Sequence, residues 1–334
     1  MSDAPAAAQK LAALSARLAA FAGKRLLVIG DLMLDEYVWG QVNRISPEAP
    51  VMVVDVTSTT YCLGGAGNVA SNVQAMGGHA IVCGVVGDDP MGRVVADQLS
   101  SAGGSTDGVI VATDRPTTVK TRIVAHSQQV VRVDREKRIP LSGEALERLT
   151  ACAAAAIPTV DAVILSDYAK GALADSLVRA AVATARAHGK PIAANLKPPR
   201  VDPFAGAAFL TLNLSEAERA ANEPIASEAD LLRIGAALRE RLSCGALLIT
   251  RGADGVALFT DGAPLLLPTR RVEVYDVAGA GDAVISAAAM ALAAGASFAE
   301  AAVIGNLAGN AKVTKLGVAA VTRDEIRRLA EMPS

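Results

Sequence analysis

The 334-residue sequence has few aromatic residues and no excess of either charge. Phenylalanine, tryptophan and tyrosine make up 3% of the chain, so an aromatic platform for stacking nucleic-acid bases is not expected. Lysine and arginine number 32, against 34 aspartate and glutamate residues, for a net charge of −2. Because there is no basic excess, general electrostatic attraction to nucleic acid or to an anionic membrane is excluded as the basis of function.

Cysteine and histidine are also scarce. The four cysteines form no CxxC pair, and the three histidines lie far apart in the sequence. This spacing argues against a Cys/His zinc site and against a framework of disulfides. It is typical of a cytosolic protein with reduced thiols.

The sequence also lacks a long hydrophobic run. The most apolar stretch, residues 284–296, is too short and too poor in large side chains to cross a bilayer of about 30 Å. Lys10 and Arg17 interrupt the alanine-rich residues 1–24, which predicts an amphipathic helix rather than a signal peptide. We therefore expect a cytoplasmic protein without a membrane segment and without a nucleic-acid partner.

Apolar residues, by contrast, are abundant. They make up 51% of the chain, against 20% charged residues, which is enough for a packed core. Short apolar runs alternate with segments of helical periodicity, which predicts an α/β domain with a mostly parallel sheet and helices on both sides. The predicted strands cover residues 25–30, 80–87, 161–166, 208–212 and 245–250, and the predicted helices cover 142–156, 172–188 and 228–242.

Two segments break this alternation. Residues 37–61 and 116–135 are rich in Val, Thr and Ile and have no helical period, which predicts antiparallel strands. We expect them to pair into a small sheet that covers the main sheet as a lid and excludes water. An edge extension or a dimer surface is the alternative for the same strands. No repeat, charge block or linker divides the chain, so we expect one domain over residues 1–334.

The segment DVAGAGD, residues 276–282, places two glycines before an alanine-rich helical run. Gly279 and Gly281 allow a tight turn, so that N–H groups at a helix N-terminus converge on an anion. Asp282 would repel an anion that merely rests there. It suits a base that takes a proton from a hydroxyl while the N–H groups stabilise a transferring phosphoryl group. A helix-capping aspartate after a glycine turn is the alternative.

The segment LGGAGNVA, residues 63–70, contains a match to the dinucleotide fingerprint GxGxxA at Gly65, Gly67 and Ala70. That fingerprint should follow the first core strand, whereas a Thr/Ser-rich stretch precedes it here. We favour a loop whose backbone N–H groups approach a polar ligand, with Asn68 as donor and acceptor. A plain helix start and the loop of a nicotinamide-dependent dehydrogenase are the alternatives.

Two aspartates follow the first predicted strand. Asp31 and Asp35 would repel a pyrophosphate, but they suit hydrogen bonds from sugar hydroxyls, because a carboxylate accepts from two donors at once. A solvated loop with a helix cap is the alternative.

The segment NLSE follows another apolar strand. Asn213 and Glu216 are three residues apart and would share a helix face. Ser215 and Glu218 could simply cap that helix. Alternatively, Asn213 and Glu216 could hold hydrated Mg²⁺, which prefers oxygen ligands.

The segment TRGADG places Thr250, Gly252 and Gly255 at a strand end and in a turn. The turn could be a plain β-turn, or it could bring backbone N–H groups to nucleotide phosphates. Because the sequence has no GxxxxGK[ST] motif, ATP would need a non-P-loop arrangement of this kind.

Together these motifs resemble the PfkB/ribokinase family of carbohydrate kinases. GGAGN resembles the N-terminal signature of the family, DVAGAGD the C-terminal one, and NLSE its metal-linked motif, in the same order and at similar spacing over roughly residues 24–325. Residues 30–51, SDYAKG (166–171) and TLNLSEAE (211–218) further resemble the D-glycero-β-D-manno-heptose-7-phosphate kinases of ADP-heptose synthesis. Many of those carry a fused nucleotidyltransferase domain. This sequence ends soon after residue 325 and has no HxGH-like pair, so we expect the stand-alone kinase.

The resemblance implies a ribokinase-like three-layer α/β/α core that binds a sugar phosphate, ATP and Mg²⁺, with K⁺ as the candidate ion of a monovalent-cation loop at Asp276. ATP would phosphorylate the C1 hydroxyl of the heptose 7-phosphate and give the 1,7-bisphosphate for the lipopolysaccharide core. A family kinase acting on ribose, fructose or adenosine is the alternative, and a non-catalytic sugar-binding relative is another. A homodimer through the lid strands is also expected.

The resemblance also implies the roles of individual residues. Asp282 would be the base, and the backbone of Gly279, Ala280 and Gly281 would form the anion hole. Asn213 and Glu216 would hold Mg²⁺ through water. Residues expected at the nucleotide are Asn213, Leu214, Ser215, Glu216, Thr250, Gly252, Gly255, Lys197, Asn306 and Asn310. Residues expected at the sugar are Asp31, Asp35, Gly64, Gly65, Asn68, Arg138 and Lys170.

The expected contacts of the 7-phosphate are cations. Arg44, Arg138, Lys170 and Lys197 are candidates, and Lys170 and Arg138 are favoured because they follow a core strand or a lid strand. Two positions depart from the family pattern. Asn195 stands where an acidic residue is frequent, and Ala283 stands where threonine is usual, so an acidic metal contact and a helper hydroxyl are missing.

Overall fold

The computed structural model describes residues 4–126 and 128–332, without the side chains of residues 4–8 and 10. The predicted domain range of 1–334 therefore includes residues 1–3, 127, 333 and 334, which lie outside the described part. Within that part, strands and helices alternate along the chain, as the sequence predicts. The strands are β1 Arg25–Ile45, β2 Met52–Gly65, β3 His79–Gly87, β4 Ser105–Ala112, β5 Thr118–Ala125, β6 Gln128–Arg135, β7 Ala162–Ser166, β8 Ile192–Asn195, β9 Phe209–Asn213, β10 Ala246–Thr250, β11 Val256–Phe259 and β12 Leu265–Leu267. The α-helices are α1 Ala4–Ala19, α2 Ala66–Ala75, α3 Pro90–Ser101, α4 Gly143–Ala156, α5 Asp175–Ala187, α6 Leu214–Ala221, α7 Glu228–Leu242, α8 Ala280–Ala293, α9 Phe298–Val313 and α10 Arg323–Glu331.

The main sheet has the strand order β4-β3-β1-β7-β8-β9-β10-β11-β12. The seven strands from β4 to β10 are parallel, and β11 runs antiparallel to both of its neighbours. Successive side chains of β1 enter two different cores: Leu26 and Val28 pack with α2, α8 and α9, whereas Leu27 and Ile29 pack with α4, α5 and α7. Burial on both faces explains the continuous apolar runs of these strands. The α/β class with helices on both sides is confirmed.

The second half of β1 leaves the main sheet and enters a smaller one with the order β2-β1-β5-β6. The two predicted lid segments do form strands there, although β2 extends past residue 61 to Gly65. The pairs β1/β2 and β5/β6 are antiparallel, as predicted, but β1 and β5 run parallel. The reason is topological. The chain reaches β5 only after crossing through β3 and β4 of the main sheet, and such a crossover brings a strand back in the same direction.

Helix α5 begins at Asp175, three residues later than predicted, because residues 168–172 form a loop that is held by β1. The four cysteines are free thiols within the described residues. Over residues 4–126 and 128–332, none of the helices combines the length and the apolarity needed to cross a bilayer.

Candidate active site

Asp282 lies in the first turn of α8, and its side chain is buried at the helix mouth. Its carboxylate accepts a hydrogen bond of 2.6 Å from Asn68 Nδ2 of α2 and another from the hydroxyl of Tyr168. Burial raises the pKa of Asp282 from 3.8 to about 6, against the lowering effects of the two hydrogen bonds and of Lys197. Asp282 is therefore ionised above about pH 6 and is placed to accept a proton near neutrality.

Gly279 caps α8 from the left-handed region, with φ of +78°. A Cβ at this position would lie 2.9 Å from Asn68 Nδ2, so a larger residue would disturb the amide that holds Asp282. The first N–H groups of a helix have no acceptor within it. Gly279 and Gly281 line the cleft at this mouth, as the predicted anion hole requires, but the N–H of Ala280 donates to Val277 O at 3.2 Å. The N–H of Ala280, which the resemblance places in the anion hole, is therefore paired within the turn in this structure.

A cleft of about 220 Å³ opens beside Asp282 at the carboxyl ends of β8, β9 and β10. Ligands in open α/β sheets bind at this edge. The Ala283 side chain, by contrast, is fully buried. The predicted site residues that line the cleft are Lys197, Asn213, Glu216, Thr250, Gly279, Gly281 and Asp282.

Asn213 and Glu216 cap α6. Asn213 Oδ1 accepts from Glu216 N at 2.9 Å, and Glu216 Oε2 accepts from Asn213 N at 2.9 Å, which forms a reciprocal capping box. The capping residue is thus Asn213 rather than Ser215, whose exposed hydroxyl donates to Asn213 Oδ1 at 3.1 Å. Leu214 packs against the core that contains α7. The same carboxylate of Glu216 also accepts a hydrogen bond from Lys197.

The donor set fits a hydrated Mg²⁺, an ion that keeps several waters and binds one or two carboxylates together with substrate phosphates. Glu216 is a buried carboxylate in the cleft wall, and each of its oxygens keeps a second lone pair. Within the described residues, no three His, Cys, Asp or Glu side chains cluster as a metal site. Phosphate and water oxygens would therefore have to supply most of the ligands.

The other predicted nucleotide residues lie apart from this carboxylate. Gly252 and Gly255 form the turn after β10, both with positive φ. Asn306 and Asn310 of α9 donate to the main-chain oxygens of Pro268 and Arg270, at 2.9 and 2.8 Å. They line a separate hollow of about 650 Å³, which also contacts α1.

On the lid side, Asp35 of β1 is buried and forms an ion pair with Arg122 of β5. The Arg122 guanidinium also lies 5.3 Å from the centre of the Tyr37 ring. Gly64 lies beside this pair near the end of β2, and a Cβ there would lie 2.6 Å from Asp35 Oδ2. Gly65 follows as the residue before α2 and positions Asn68 in the first turn. Gly64 thus lies beside Asp35, and Gly65 leads into the helix that carries Asn68.

Asp31 has different surroundings. Its carboxylate accepts hydrogen bonds from the N–H groups of Tyr168 (2.8 Å), Lys170 (3.0 Å) and Ala172 (2.9 Å). Burial raises the pKa of Asp31, and the three backbone bonds lower it. Asp31 therefore holds the loop 168–172, in which Ala169 has a positive φ, and it acts on the cleft through Tyr168.

The two favoured phosphate contacts, Lys170 and Arg138, both pair with Glu136, whereas the candidate Lys197 pairs with Glu216. Lys170 Nζ is 2.7 Å from Glu136 Oε2 and is nearly buried. The Arg138 side chain is 69% exposed and pairs with the same carboxylate. Lys120 also reaches it, at 3.6 Å. One acidic side chain, Glu136, therefore pairs with three cations, Lys120, Arg138 and Lys170, which no sequence motif indicates.

Asp276 lies in the turn before α8, and each of its carboxylate oxygens accepts a backbone hydrogen bond. Oδ1 accepts from Ala278 N and Oδ2 from Gly317 N, both at 2.9 Å. The buried ammonium of Lys312 donates to the main-chain oxygen of Asp276 at 3.3 Å. The side chains predicted to form a monovalent-cation loop are therefore already paired within the protein.

Sequence reasoning missed three residues of this site. Tyr168 stands in the SDYAKG segment, whose resemblance to heptose-phosphate kinases does not single out the tyrosine. Arg122 stands in a predicted lid strand, and no motif assigns it a role. Lys312 is a lysine inside an apolar helix, a sign of a buried charge that needs partners. Asn195, a departure from the family pattern, lines the cleft and accepts from Asp167 N at 3.2 Å.

Sequence comparisons agree with the motifs. A model described as pfkB family carbohydrate kinase matches residues 24–325. The chain is 45% identical over 317 residues to the bifunctional protein HldE of Caulobacter sp. (strain K31), and 43% identical over 301 residues to that of Pelobacter propionicus. These alignments cover 93% and 90% of this chain but 64% and 62% of the relatives. The chain thus spans less than two thirds of the length of these relatives.

Solved structures agree with the fold. Arabidopsis thaliana ribokinase complexed with ribose and ATP superposes with a TM-score of 0.72 at 19% identity, over 93% of this chain and 100% of that one. Escherichia coli phosphofructokinase-2 in complex with potassium gives 0.75 at 16% identity, over 92% and 98%. At such identities the likeness concerns the fold alone, and it confirms the predicted ribokinase-like core.

Proposed function

Because this chain belongs to the PfkB family of carbohydrate kinases, we propose that it transfers the γ-phosphoryl group of ATP to the C1 hydroxyl of D-glycero-β-D-manno-heptose 7-phosphate. The product is the 1,7-bisphosphate used in ADP-heptose synthesis for the lipopolysaccharide core. The observation that carries the proposal is the buried Asp282, whose carboxylate faces a cleft between a helix mouth and Lys197. The reaction is assigned to the cytoplasm, where ATP is available and the free thiols stay reduced.

In the proposed reaction, Asp282 accepts the proton of the C1 hydroxyl while the oxygen of that hydroxyl forms a bond to the γ-phosphorus. The bond between that phosphorus and the bridging oxygen of ATP breaks, and ADP leaves. A positioned base contributes about 10²–10⁴ in rate. Asn68 and Tyr168 hold the carboxylate in position, and the helix mouth at Gly279 and Gly281 stabilises charge on the transferring group.

On the nucleotide side, Lys197 would bind the phosphates. Glu216, with Asn213 beside it, would hold hydrated Mg²⁺, and the metal would neutralise phosphate charge. Thr250, Gly252 and Gly255 are assigned to the wall along the phosphates. Leu214 and Ser215, at the start of α6, are assigned to the same side of the nucleotide. Asn306 and Asn310 are assigned to the adenine side, where they also fix the chain around Pro268.

On the sugar side, Asp35 accepts hydrogen bonds from hydroxyls, and Asn68 can accept or donate. Gly64 and Gly65 let the backbone lie close to the sugar. Lys170 and Arg138 are assigned to the 7-phosphate. Both already pair with Glu136, so the phosphate would compete with that carboxylate for them. Asp31 contributes by holding the backbone of Lys170.

The heptose 7-phosphate assignment is supported by the resemblance of residues 30–51, 166–171 and 211–218 to heptose-phosphate kinases. The direct test is a panel of heptose 7-phosphate, ribose, fructose, fructose 6-phosphate and adenosine, with coupled detection of ADP. We expect kcat/KM to be highest for the heptose 7-phosphate. Turnover of ribose or adenosine, without turnover of the heptose phosphate, would assign the chain to another sugar or nucleoside kinase.

Two further rivals are tested by ligand binding and turnover together. A dehydrogenase that uses Gly65 and Gly67 would be stabilised by NAD in thermal unfolding, whereas a kinase would be stabilised by ATP with Mg²⁺. Because α2 follows the lid strand β2 and not the first core strand, the nucleotide expected is ATP. A non-catalytic relative would bind the sugar phosphate without producing ADP.

We also propose a homodimer through the lid. The smaller sheet leaves β2 and β6 as edge strands and exposes a set of apolar side chains, which a second copy would cover. Light scattering should give twice the mass of the chain, and Val133→Glu should lower it to that of one chain. A wild-type monomer would contradict the proposal. The exposed set comprises Ile45, Met52, Val56, Val131 and Val133.

A further inference from the structure

A buried lysine ammonium lies at the turn that leads into the catalytic helix. Lys312 stands near the C-terminal end of α9, and 1% of its surface is exposed. Its Nζ donates to the main-chain oxygens of Asp276 at 3.3 Å and of Lys315 at 3.2 Å. Both carbonyl groups lie outside the helices, in the turn before α8 and just after the end of α9, so the ammonium joins these two segments.

A free monovalent ion does not fit the same turn. K⁺ is held in proteins by several oxygen atoms, frequently main-chain carbonyls, that replace its hydration shell. Here the ammonium already occupies two such carbonyls, and both carboxylate oxygens of Asp276 accept backbone N–H groups, from Ala278 and Gly317. An entering ion would have to displace the Lys312 side chain.

The lysine is also positioned to affect the catalytic end of α8. A Cβ on Gly279 would lie 3.6 Å from Lys312 Cε, so the lysine stem packs beneath the residue that caps α8. Burial lowers the pKa of Lys312, and the negative charges of Asp276 and Asp282 oppose that lowering. Loss of the ammonium would leave two buried carbonyl groups without their donor and would loosen the turn that shapes the helix mouth.

We propose that the Lys312 ammonium is a built-in monovalent cation, which holds the turn from Asp276 to Gly279 and makes this kinase independent of K⁺. Lys312 is a positioning residue, because it acts on the reaction through that turn. The proposal does not depend on which sugar is phosphorylated. It has a thermal readout that needs no turnover, so its failure can be distinguished from failure of the proposed substrate.

The first experiment uses the wild-type chain. Thermal unfolding and, with whichever substrate is turned over, the rate are measured in KCl, NaCl and tetramethylammonium chloride at one ionic strength of about 0.15 M. We expect the same Tm, within about 1 °C, because Lys312 already fills the cation position of this turn. The rates should agree as well. A K⁺-specific rise in Tm, or a rate that requires K⁺, would overturn the proposal.

The second experiment compares Lys312→Ala with Lys312→Met. In tetramethylammonium chloride both should unfold about 5 °C below the wild type, because buried carbonyls lose their donor. The alanine variant leaves room for an ion, so K⁺ should restore its Tm and at least half of the lost rate. The methionine side chain fills that room, so K⁺ should restore neither.

The matched control is Lys315→Ala, which removes a neighbouring ammonium that binds Ala320 O and Glu325. This variant should lose stability without any K⁺-specific recovery. Equal recovery of all three variants, or no recovery of Lys312→Ala, would refute the built-in cation. If neither Lys312 variant folds, the wild-type comparison of ions decides.

Discussion

Two buried aspartates of this chain are held in opposite ways. Asp31 lies where β1 leaves the main sheet. It accepts hydrogen bonds from three backbone N–H groups of the loop 168–172. Asp282, at the mouth of α8, accepts from two side chains, Asn68 and Tyr168. Burial raises the pKa of both carboxyl groups.

The kind of donor separates their roles. Backbone N–H groups are part of the fold, so the carboxylate that binds them fixes the path of a loop and has little freedom to exchange a proton. Side-chain donors leave the rest of the carboxylate facing the cleft. We infer that Asp31 positions the site and that Asp282 carries out the chemistry, although sequence motifs mark both as site residues.

The strongest test of this contrast is Asp282→Asn. The amide cannot accept the proton of the substrate hydroxyl, so kcat should fall at least 100-fold, on the order of the contribution of a general base. ATP binding, measured by calorimetry, should be unchanged, because the cleft residues that face the phosphates remain. The exposed Asp324→Asn should keep wild-type turnover. Near-normal turnover of Asp282→Asn would end the assignment of the base.

Glu216 extends the comparison, because its carboxylate has both a backbone donor and a side-chain donor. One oxygen accepts from the backbone of Asn213, and the other accepts from Lys197. Glu216→Gln should keep the helix cap, since glutamine also serves in a capping box. Losing the charge should raise the Mg²⁺ concentration needed for half-maximal rate about tenfold, as one weakened charge-assisted contact would.

Thermal unfolding of Glu216→Gln separates the two functions of this side chain. We expect a Tm close to that of the wild type together with the altered Mg²⁺ titration. A lower Tm with an unchanged Mg²⁺ titration would mean that Glu216 only caps α6.

The sequence predicts the local features of this site better than its long-range contacts. Glycine placement predicts the helix start after Gly279, and capping residues predict the cap at Asn213–Glu216. Apolar runs predict the strands whose ends form the cleft. Each of these signals lies within a few residues of the feature that it predicts. The two bonds to Asp282 join residues 214 and 114 positions apart. Such contacts depend on strand order and crossovers, which no local pattern specifies. The same reason explains why the sequence did not reveal Arg122 or the contacts of Asp31 with the loop 168–172.

Tyr168→Phe removes one of the two side-chain donors while keeping the ring. Because the bond from Tyr168 lowers the pKa of Asp282, its loss should raise that pKa above about 6. The base is active when ionised, so kcat/KM of the wild type should fall as pH decreases through about 6. In the variant this limb should lie at higher pH, with a loss of about threefold at pH 6.5 for a shift of about one unit and nearly full recovery at pH 8.5.

The control for this variant is Tyr275→Phe, which alters an exposed tyrosine. Its pH profile should match that of the wild type. An acidic limb of Tyr168→Phe that stays at the wild-type position would show that the tyrosine does not tune the base.

The smallest effect on turnover is expected for Asp31→Asn. An amide keeps one acceptor oxygen for the loop 168–172 but turns an NH₂ group towards one of its three N–H donors. Losing a buried hydrogen bond and facing the donor with an NH₂ group costs about 1–3 kcal/mol. A chain of this size would show this cost as a fall in Tm of about 1–4 °C. At a temperature where the variant remains folded, kcat should stay within about threefold of the wild type, because Asp282 and Tyr168 still meet. Together with Asp282→Asn, which should lose rate without losing stability, this result would separate a carboxylate that positions from one that reacts. A 100-fold loss of kcat in a fully folded Asp31→Asn would show that backbone-held carboxylates also take part in the reaction, and the contrast would fail.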